Sequence, residues 1–246
     1  MHGLISIGLI FQPINTIPSH RHDTWEIIYY THGNGSLTVG EQTYNFKPMD
    51  IVCLPPFMPH SEQSEEGYQN IYFSVKSFQG SPGLLPLFHD TINKDFYNVL
   101  IQLYREYHLK RKNWGNITES LLNALYQYMV SWDSGESRHP SVEQLENLLV
   151  SNLSNPSLQL KDIFRDIPVS PDHLRILFKE KTGKNPVTYL NDLRINYAKN
   201  LLQSMDSSGF TIREIAFMAG FNDPYYFSRA FKKTTGMSPS ECSSKK

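Results

Sequence analysis

Along the chain the spacing of apolar residues changes its period once, and that change divides the sequence. From about Ser6 to Phe78, β-branched and aromatic residues come in short runs broken by Gly33-Asn34-Gly35, Gly40-Glu41 and Pro48-Met49-Asp50. Such runs predict short strands joined by tight turns, and their number and spacing suit a small antiparallel barrel over about 6–80. From about Lys94 to Trp132 the period is helical. Phe96, Val99, Leu100 and Leu103 share one face and Leu121, Leu122, Leu125, Tyr128 and Met129 another, with Trp114-Gly115-Asn116 as the break between two helices. Asp133 to Ser141 is polar and closes on a proline and a serine, so 133–141 reads as a linker. The expected organisation is α+β: residues 1–132 carry a barrel with flanking helices, and 142–246 are all-α.

The all-α half repeats itself. Phe-Lys-x-x-Thr-Gly-x-x-Pro occurs at Phe178 to Pro186 and again at Phe231 to Pro239, about 53 residues apart, and each copy closes a helix-turn-helix. In the second copy Thr211 and Glu214 form a capping box, and Ile212, Ile215, Ala216 and Ala219 follow at helical spacing. Gly220 permits the turn, Asp223 and Pro224 restart a helix, and Phe227, Ala230 and Phe231 face inward. In the first copy Leu160, Ile163, Phe164 and Ile167 make the supporting helix, Ser170 and Pro171 restart the chain, and Leu174, Leu177 and Phe178 anchor the next helix. Between the copies, Pro186 to Met205 is amphipathic and long enough to hold the two units at a fixed separation. A helix-turn-helix offers one helix to a DNA major groove, so two on one chain can read successive grooves. The outward faces carry Asp172, Arg175, Ile176 and Lys179 in one copy, and Tyr225, Ser228, Arg229, Lys232 and Lys233 in the other.

Charge supports that reading only when the halves are separated. The whole chain carries a net charge of −1, but residues 1–140 hold roughly −4 and the repeated half roughly +3, which puts the basic surface where DNA is expected. The chain has 246 residues, enough for two domains that each bury a core. It has no apolar run of membrane-spanning length and no basic-apolar leader, so a soluble, cytoplasmic protein with no membrane partner is expected. Two cysteines, Cys53 and Cys242, argue against a disulfide scaffold.

Residues from about Val142 to Cys242 resemble the DNA-binding domain of AraC/XylS-type transcription regulators. The match lies in Ile215-Ala216 through Gly220-Phe221, Tyr226-Phe227-Ser228-Arg229, Phe231-Lys232-Lys233 to Thr235-Gly236, and Ser238-Pro239. The resemblance implies double-stranded DNA as partner, with base readers at Asp172, Arg175 and Ile176 and at Pro224, Tyr225, Ser228 and Arg229. Phosphate contacts are expected from Lys179, Lys184, Lys232 and Lys233. Phe164 stands where the family usually has a small residue, Pro168 near the usual turn glycine, and Ile176 where a polar reader is common.

The N-terminal half carries His20-x-His22, Glu26 and Gly33, then Pro55 and His60. Two histidines two apart point the same way from a strand, and Glu26 and His60 can complete a four-ligand set from neighbouring strands. The pattern resembles the two motifs of the cupin superfamily, with Met49 and Phe57 where glycines are expected. It implies a small-molecule effector pocket lined by His20, His22, Trp25, Glu26, Tyr30, His60 and Tyr72, suited to a sugar, or a divalent transition metal held by His20, His22, Glu26 and His60. The expected protein is a regulator rather than an enzyme, an activator that recruits RNA polymerase and forms a homodimer through the helices at 94–132. A metal-dependent cupin enzyme and an effector-independent repressor are the other classes the sequence admits.

Overall fold

The computed structural model describes residues 1–78, 87–132, 139–203 and 209–243. The chain forms two compact units, Met1–Ser137 and Arg138–Lys246. Most of the expected linker, 133–138, lies outside the described residues, as do the barrel's last expected positions, 79 and 80. Pro140 and Ser141, assigned to the linker by their polarity, instead open a helix, with the His139 side chain accepting from Ser141 N. Proline at a first helical position is a start signal as much as a linker signal.

In the first unit seven antiparallel strands form one curled sheet: β1 (His2–His20), β2 (Trp25–His32), β3 (Gly35–Val39), β4 (Gln42–Phe46), β5 (Asp50–Leu54), β6 (His60–Ser77) and β7 (Leu87–His89). Their order is β4-β3-β6-β2-β5-β7, with β1 on β6. The sheet buries both faces. Ile28, Tyr30, Leu37, Val39, Phe46, Val52, Leu54 and Tyr68 fill the inside of the curl. Ile27, Tyr29, Ile51, Cys53, Ile71 and Phe73 point the other way, against helices α1 (Asp95–Leu109) and α2 (Trp114–Trp132). Helix α1 is tied to the sheet by buried Asp90, which accepts from the backbone N–H groups of Phe96 and Tyr97 and from the Tyr29 hydroxyl.

Met49 and Phe57, the two non-glycines in the turns flanking β5, take left-handed conformations with φ of 76° and 65°. The turn geometry of the glycine motif is thus kept without glycine. Phe57 N donates to His22 O at 2.7 Å, which brings the start of β6 against the end of β1. A left-handed residue with a Cβ costs about 1–2 kcal/mol, and glycine returns part of that as unfolded-state entropy. Phe57→Gly, at a side chain that is 66% exposed, should therefore raise unfolding free energy by about 1 kcal/mol. A denaturant midpoint that fails to rise would show the turn to be unstrained.

The second unit comprises α3 (Pro140–Ser151), α4 (Leu160–Arg165), α5 (Pro171–Thr182), α6 (Pro186–Gln203) and, in the second copy, α7 (Ile212–Met218), α8 (Pro224–Thr235) and α9 (Pro239–Ser243). The local signals act as expected. Thr211 and Glu214 form the capping box, Asp223 accepts from Tyr225 N, and Ser170 accepts from His173 N at the start of α5. Two cores result. Val142, Leu145, Leu149, Ile163, Phe164, Ile167, Leu174, Phe178 and Leu190 form the first. Ile195, Ala198, Leu202, Ile215, Ala216, Ala219, Phe221, Phe227, Phe231 and Cys242 form the second. Helix α6 serves both, Leu190 in one and Ile195, Ala198 and Leu202 in the other. It ends at Gln203; Met205 lies outside the described residues. Ile167 is buried but beyond α4, whose last residue is Arg165.

Candidate functional site

The cupin-like residues converge. His20 closes β1 directly opposite His60, the first residue of β6. His22 follows in the turn and Glu26 lies near the start of β2. One ligand atom from each of His20, His22, Glu26 and His60 falls within 4.8 Å of the others. All three imidazoles are oriented alike. Nδ1 of His20 lies 3.0 Å from Pro18 O, Nδ1 of His22 lies 2.8 Å from Thr24 O, and Nδ1 of His60 lies 2.9 Å from Met58 O. A carbonyl can only accept, so each Nδ1 carries a proton, and Nε2 is the nitrogen left to take a second proton beside Glu26 or to ligate a metal.

Glu26 receives two of these rings. Its Oε2 lies 3.0 Å from His22 Nε2 and 3.4 Å from His60 Nε2. The second approach lacks hydrogen-bond geometry, so buried His60 Nε2 has the carboxylate as an electrostatic neighbour but no hydrogen-bond partner. Burial pushes the Glu26 carboxyl up, but His60 and His22 outweigh it and hold it below its ordinary value. His60 is pulled the other way: burial disfavours its charge, yet Glu26, the Met58 carbonyl and Glu62 together raise its pKa. An orphaned ring nitrogen facing a carboxylate calls for a cation between them, a proton or a metal. The donor set, three imidazoles held by outer hydrogen bonds plus one carboxylate, fits a divalent transition ion.

Beside this cluster a cavity of about 230 Å3 is lined by Ile10, Ile17, His20, Glu26, Ile28, His60, Glu62, Asn70 and Tyr72. Asn70 is 1% exposed, and its Oδ1 finds no hydrogen-bond partner. Glu62 accepts from the hydroxyls of Tyr30 and Tyr68. Burial pushes its carboxyl above the usual range, against the two hydroxyls that favour the charged form. A larger, open groove of about 940 Å3 runs past Asn45, Asp50, Gln63 and His89, but it holds neither the histidine cluster nor an orphaned buried acceptor.

Of the effector residues expected from sequence, His20, Glu26, His60 and Tyr72 line the cavity, and His22 joins through Glu26. Trp25 does not. Strand alternation puts it on the opposite face from Glu26, with Phe78 at 5.1 Å among residues packed against α1 and α2. Tyr30 lies on the inner face but is fully buried, stacked on Phe46 at 3.7 Å and bonded to Glu62, behind the wall rather than on it. The lining residues not anticipated, Glu62 and Asn70, were legible: counting by twos along β6 from His60 reaches Glu62, Asn70 and Tyr72.

In the helical unit Asp172, Arg175, Ile176 and Lys179 are exposed on α5, and Tyr225, Arg229, Lys232 and Lys233 on α8. Ile176 is 67% exposed and Tyr225 80%; apolar and aromatic surface left this bare on the outward sides of α5 and α8 suits contact with base edges. Arg175 is engaged in two ways, bonded to Asp172 at 2.7 Å and lying over the Phe164 ring at 4.9 Å. Phe164, the bulky departure from the family pattern, thus becomes a platform for the arginine on the following helix. Pro224 is half-buried, as is Ser228, whose hydroxyl donates to the Pro224 carbonyl at 2.9 Å. Lys184 lies outside α5 and pairs with Asp192 at 2.7 Å. Lys179, Lys232 and Lys233 fall in the last turns of α5 and α8, where they also suit the negative helix end.

A ligand-sized barrel cavity and a tandem of helix-turn-helix units on one chain define a DNA-binding protein with an effector domain. The chain belongs to the AraC-type transcription regulators: residues 11–125 match the AraC-like ligand binding domain, and residues 164–245 match a helix-turn-helix domain. It is similar to the raffinose operon transcriptional regulatory protein RafR of Pediococcus pentosaceus, at 27% identity over 235 residues, spanning 89% of this chain and 84% of that one. Similarity extends to the arabinose operon regulatory protein of Escherichia coli, at 23% over 235 residues, 85% of this chain and 76% of that one. The HTH-type transcriptional activator RhaR of Klebsiella pneumoniae is 27% identical over 252 residues, 93% of this chain and 88% of that one. Among solved structures, the C-terminal domain of AraT, a response regulator from Geobacillus stearothermophilus, matches with 31% identity and a TM-score of 0.41, over 45% of this chain and 89% of that one. No helix of the described residues is long and apolar enough to cross a membrane.

Proposed function

We propose that the protein is a cytoplasmic, sequence-specific transcription activator controlled by a small polyhydroxylated molecule, a sugar or a close analogue, bound in the N-terminal cavity. The observation that carries the effector is the buried, unpartnered Asn70 Oδ1 in a cavity that also offers the Glu26 and Glu62 carboxyls. Such an acceptor-rich wall suits a ligand that brings hydroxyl donors, and an unmade buried hydrogen bond is costly enough to favour one. The room is that of about eight waters, the scale of a small polar molecule. Relatives named for raffinose and arabinose operons support the same class. A thermal-shift screen with pentoses, hexoses and small oligosaccharides tests it: a binder of the folded state must raise the melting temperature, and a panel without effect sinks the sugar reading.

On DNA, α5 and α8 enter successive major grooves, with Arg229 as the first choice for a guanine and the C-terminal lysines on phosphates. Among the described residues no ion pair engages Arg229, in contrast to Arg175. Arg229→Ala should lower affinity for a cognate duplex by about 1–3 kcal/mol and relax preference at one base pair; unchanged gel shifts would refute the role. Helix α2 leaves Ile117, Leu121, Ala124 and Tyr128 wholly or partly exposed along one side, the stripe through which we place a homodimer. RNA polymerase is the expected target of the DNA-bound activator.

A second reading rests on the shared orientation of the three imidazoles. In it the cluster of His20, His22, Glu26 and His60 holds a divalent transition metal. The ion would supply Lewis acidity and open coordination positions beside the cavity, while these side chains fix it and Asn70 and Tyr72 orient the effector.

A further inference from the structure

We propose that Arg194 is the joint that locks the two DNA-reading helices into one rigid arrangement, and so sets the separation of the two grooves the protein can read. Arg194 lies in α6 where the helix passes from the first core, served by Leu190, to the second, served by Ile195 and Ala198. A mid-helix arginine between two apolar neighbourhoods normally reaches for solvent. This one is 9% exposed. Its Nε donates to Leu153 O at 2.9 Å and its terminal nitrogen to Asn155 O at 2.8 Å, both in the segment joining α3 to α4, just ahead of the first helix-turn-helix. Its guanidinium carbon lies 5.8 Å from the Phe221 ring centre, in the turn of the second copy.

The same point carries a third contact. Gly220, at φ +86°, lies so close that a Cβ there would overlap the Leu153 carbonyl and come within 2.7 Å of Arg194 Nε. One planar cation on the connecting helix thus ties the segment that leads into the first helix-turn-helix to the turn of the second. An apolar side chain would fill the same volume but would not fix a direction. The guanidinium fork sets the angle of the loop against the turn, since each donor has one carbonyl to meet. Successive major grooves on one face of DNA lie about 34 Å apart, and a rigid pair of readers avoids the ordering cost that a hinged pair incurs on binding. Arg194 touches no base in this scheme; it is a positioning residue.

The test uses the full chain with nitroxides on Glu180→Cys in α5 and Thr234→Cys in α8, since both positions are exposed and Cys53 and Cys242 are buried. Pulsed electron spin resonance without DNA should give one narrow distance in the parent chain, a distribution at least twofold broader in Arg194→Met, and an intermediate one in Arg194→Lys. A distance as narrow in Arg194→Met as in the parent, with helical circular dichroism intact, overturns the proposal. Where the methionine variant loses its helical signal, the lysine variant decides by the same criterion, and loss of helix in both assigns Arg194 to core stability and also overturns it. The consequence for DNA rests on the two-groove reading. It is checked with a duplex selected by the parent chain from a random library, with one base pair inserted between the two contacted segments. Insertion should cost the parent about tenfold in affinity and Arg194→Met less than about threefold. A footprint covering one groove would fail the two-groove reading while leaving the spin-label result to stand or fall alone.

Discussion

Gly220→Ala should be the most damaging small substitution in the helical unit, costing on the order of 3 kcal/mol or more and abolishing DNA binding. Two costs add at this position. The left-handed backbone at φ +86° costs an alanine about 1–2 kcal/mol. The new methyl must also displace the Leu153 carbonyl, which is part-buried backbone held by Arg194 and unable to swing away as a long side chain would. Gly183 and Gly236 give an internal control. They cap α5 and α8 with similar φ, 73° and 80°, but a Cβ at either meets nothing within 4 Å. Alanine there should cost only the backbone share, about 1–2 kcal/mol. Thermal unfolding of the three variants separates the terms; equal losses at all three would mean that Gly220 and Leu153 are not in close packing.

Loss of His60 should reduce uptake of cobalt(II) or nickel(II) by about a hundredfold or more, since it removes one of four ligands and the only one fully enclosed. Calorimetric titration of the purified chain reads this directly, and metal content of protein prepared without chelator shows what the cluster takes up unaided. Uptake should also weaken as pH falls. The metal needs Nε2 without its proton, and the metal-free fold favours the protonated His60 because its pKa is raised. The sign for stability follows: in the metal-free protein His60 contributes stability that is present below its unfolded pKa and lost as pH rises through its higher folded pKa, whereas metal reverses that loss. Glu26, held low, contributes stability above its unfolded pKa that is lost on acidification through the folded value. Uptake independent of pH between about 5.5 and 7.5, around the ordinary histidine pKa, or untouched by His60→Ala, would remove the metal reading and leave the cluster as polar lining of the effector cavity.

The amino-acid order by itself determined the elements and the chemistry each could bring. Thr211 with Glu214, Asp223 with Pro224, and Ser170 with Pro171 are local signals whose geometry is complete within four residues, so they held in the fold. The period change near Lys94 marked the passage from sheet to helix for the same reason. Trp25 was misplaced because an aromatic beside Glu26 looks like pocket lining until the two-residue alternation of β2 is applied.

Only tertiary structure decided what met what. Met49 and Phe57 have no preference of their own for the conformation of the glycines they replace; the hydrogen bonds from Met49 N to Tyr30 O and from Phe57 N to His22 O hold them there. Asn70 became an orphaned acceptor only when the curl of the sheet carried it away from water, and Arg194 became a joint only when two cores closed on either side of it. Local preference is fixed by neighbours a few bonds away, and a chain states it openly. Desolvation and a third residue's carbonyl arrive from forty residues off, and no period or motif in the sequence encodes that distance.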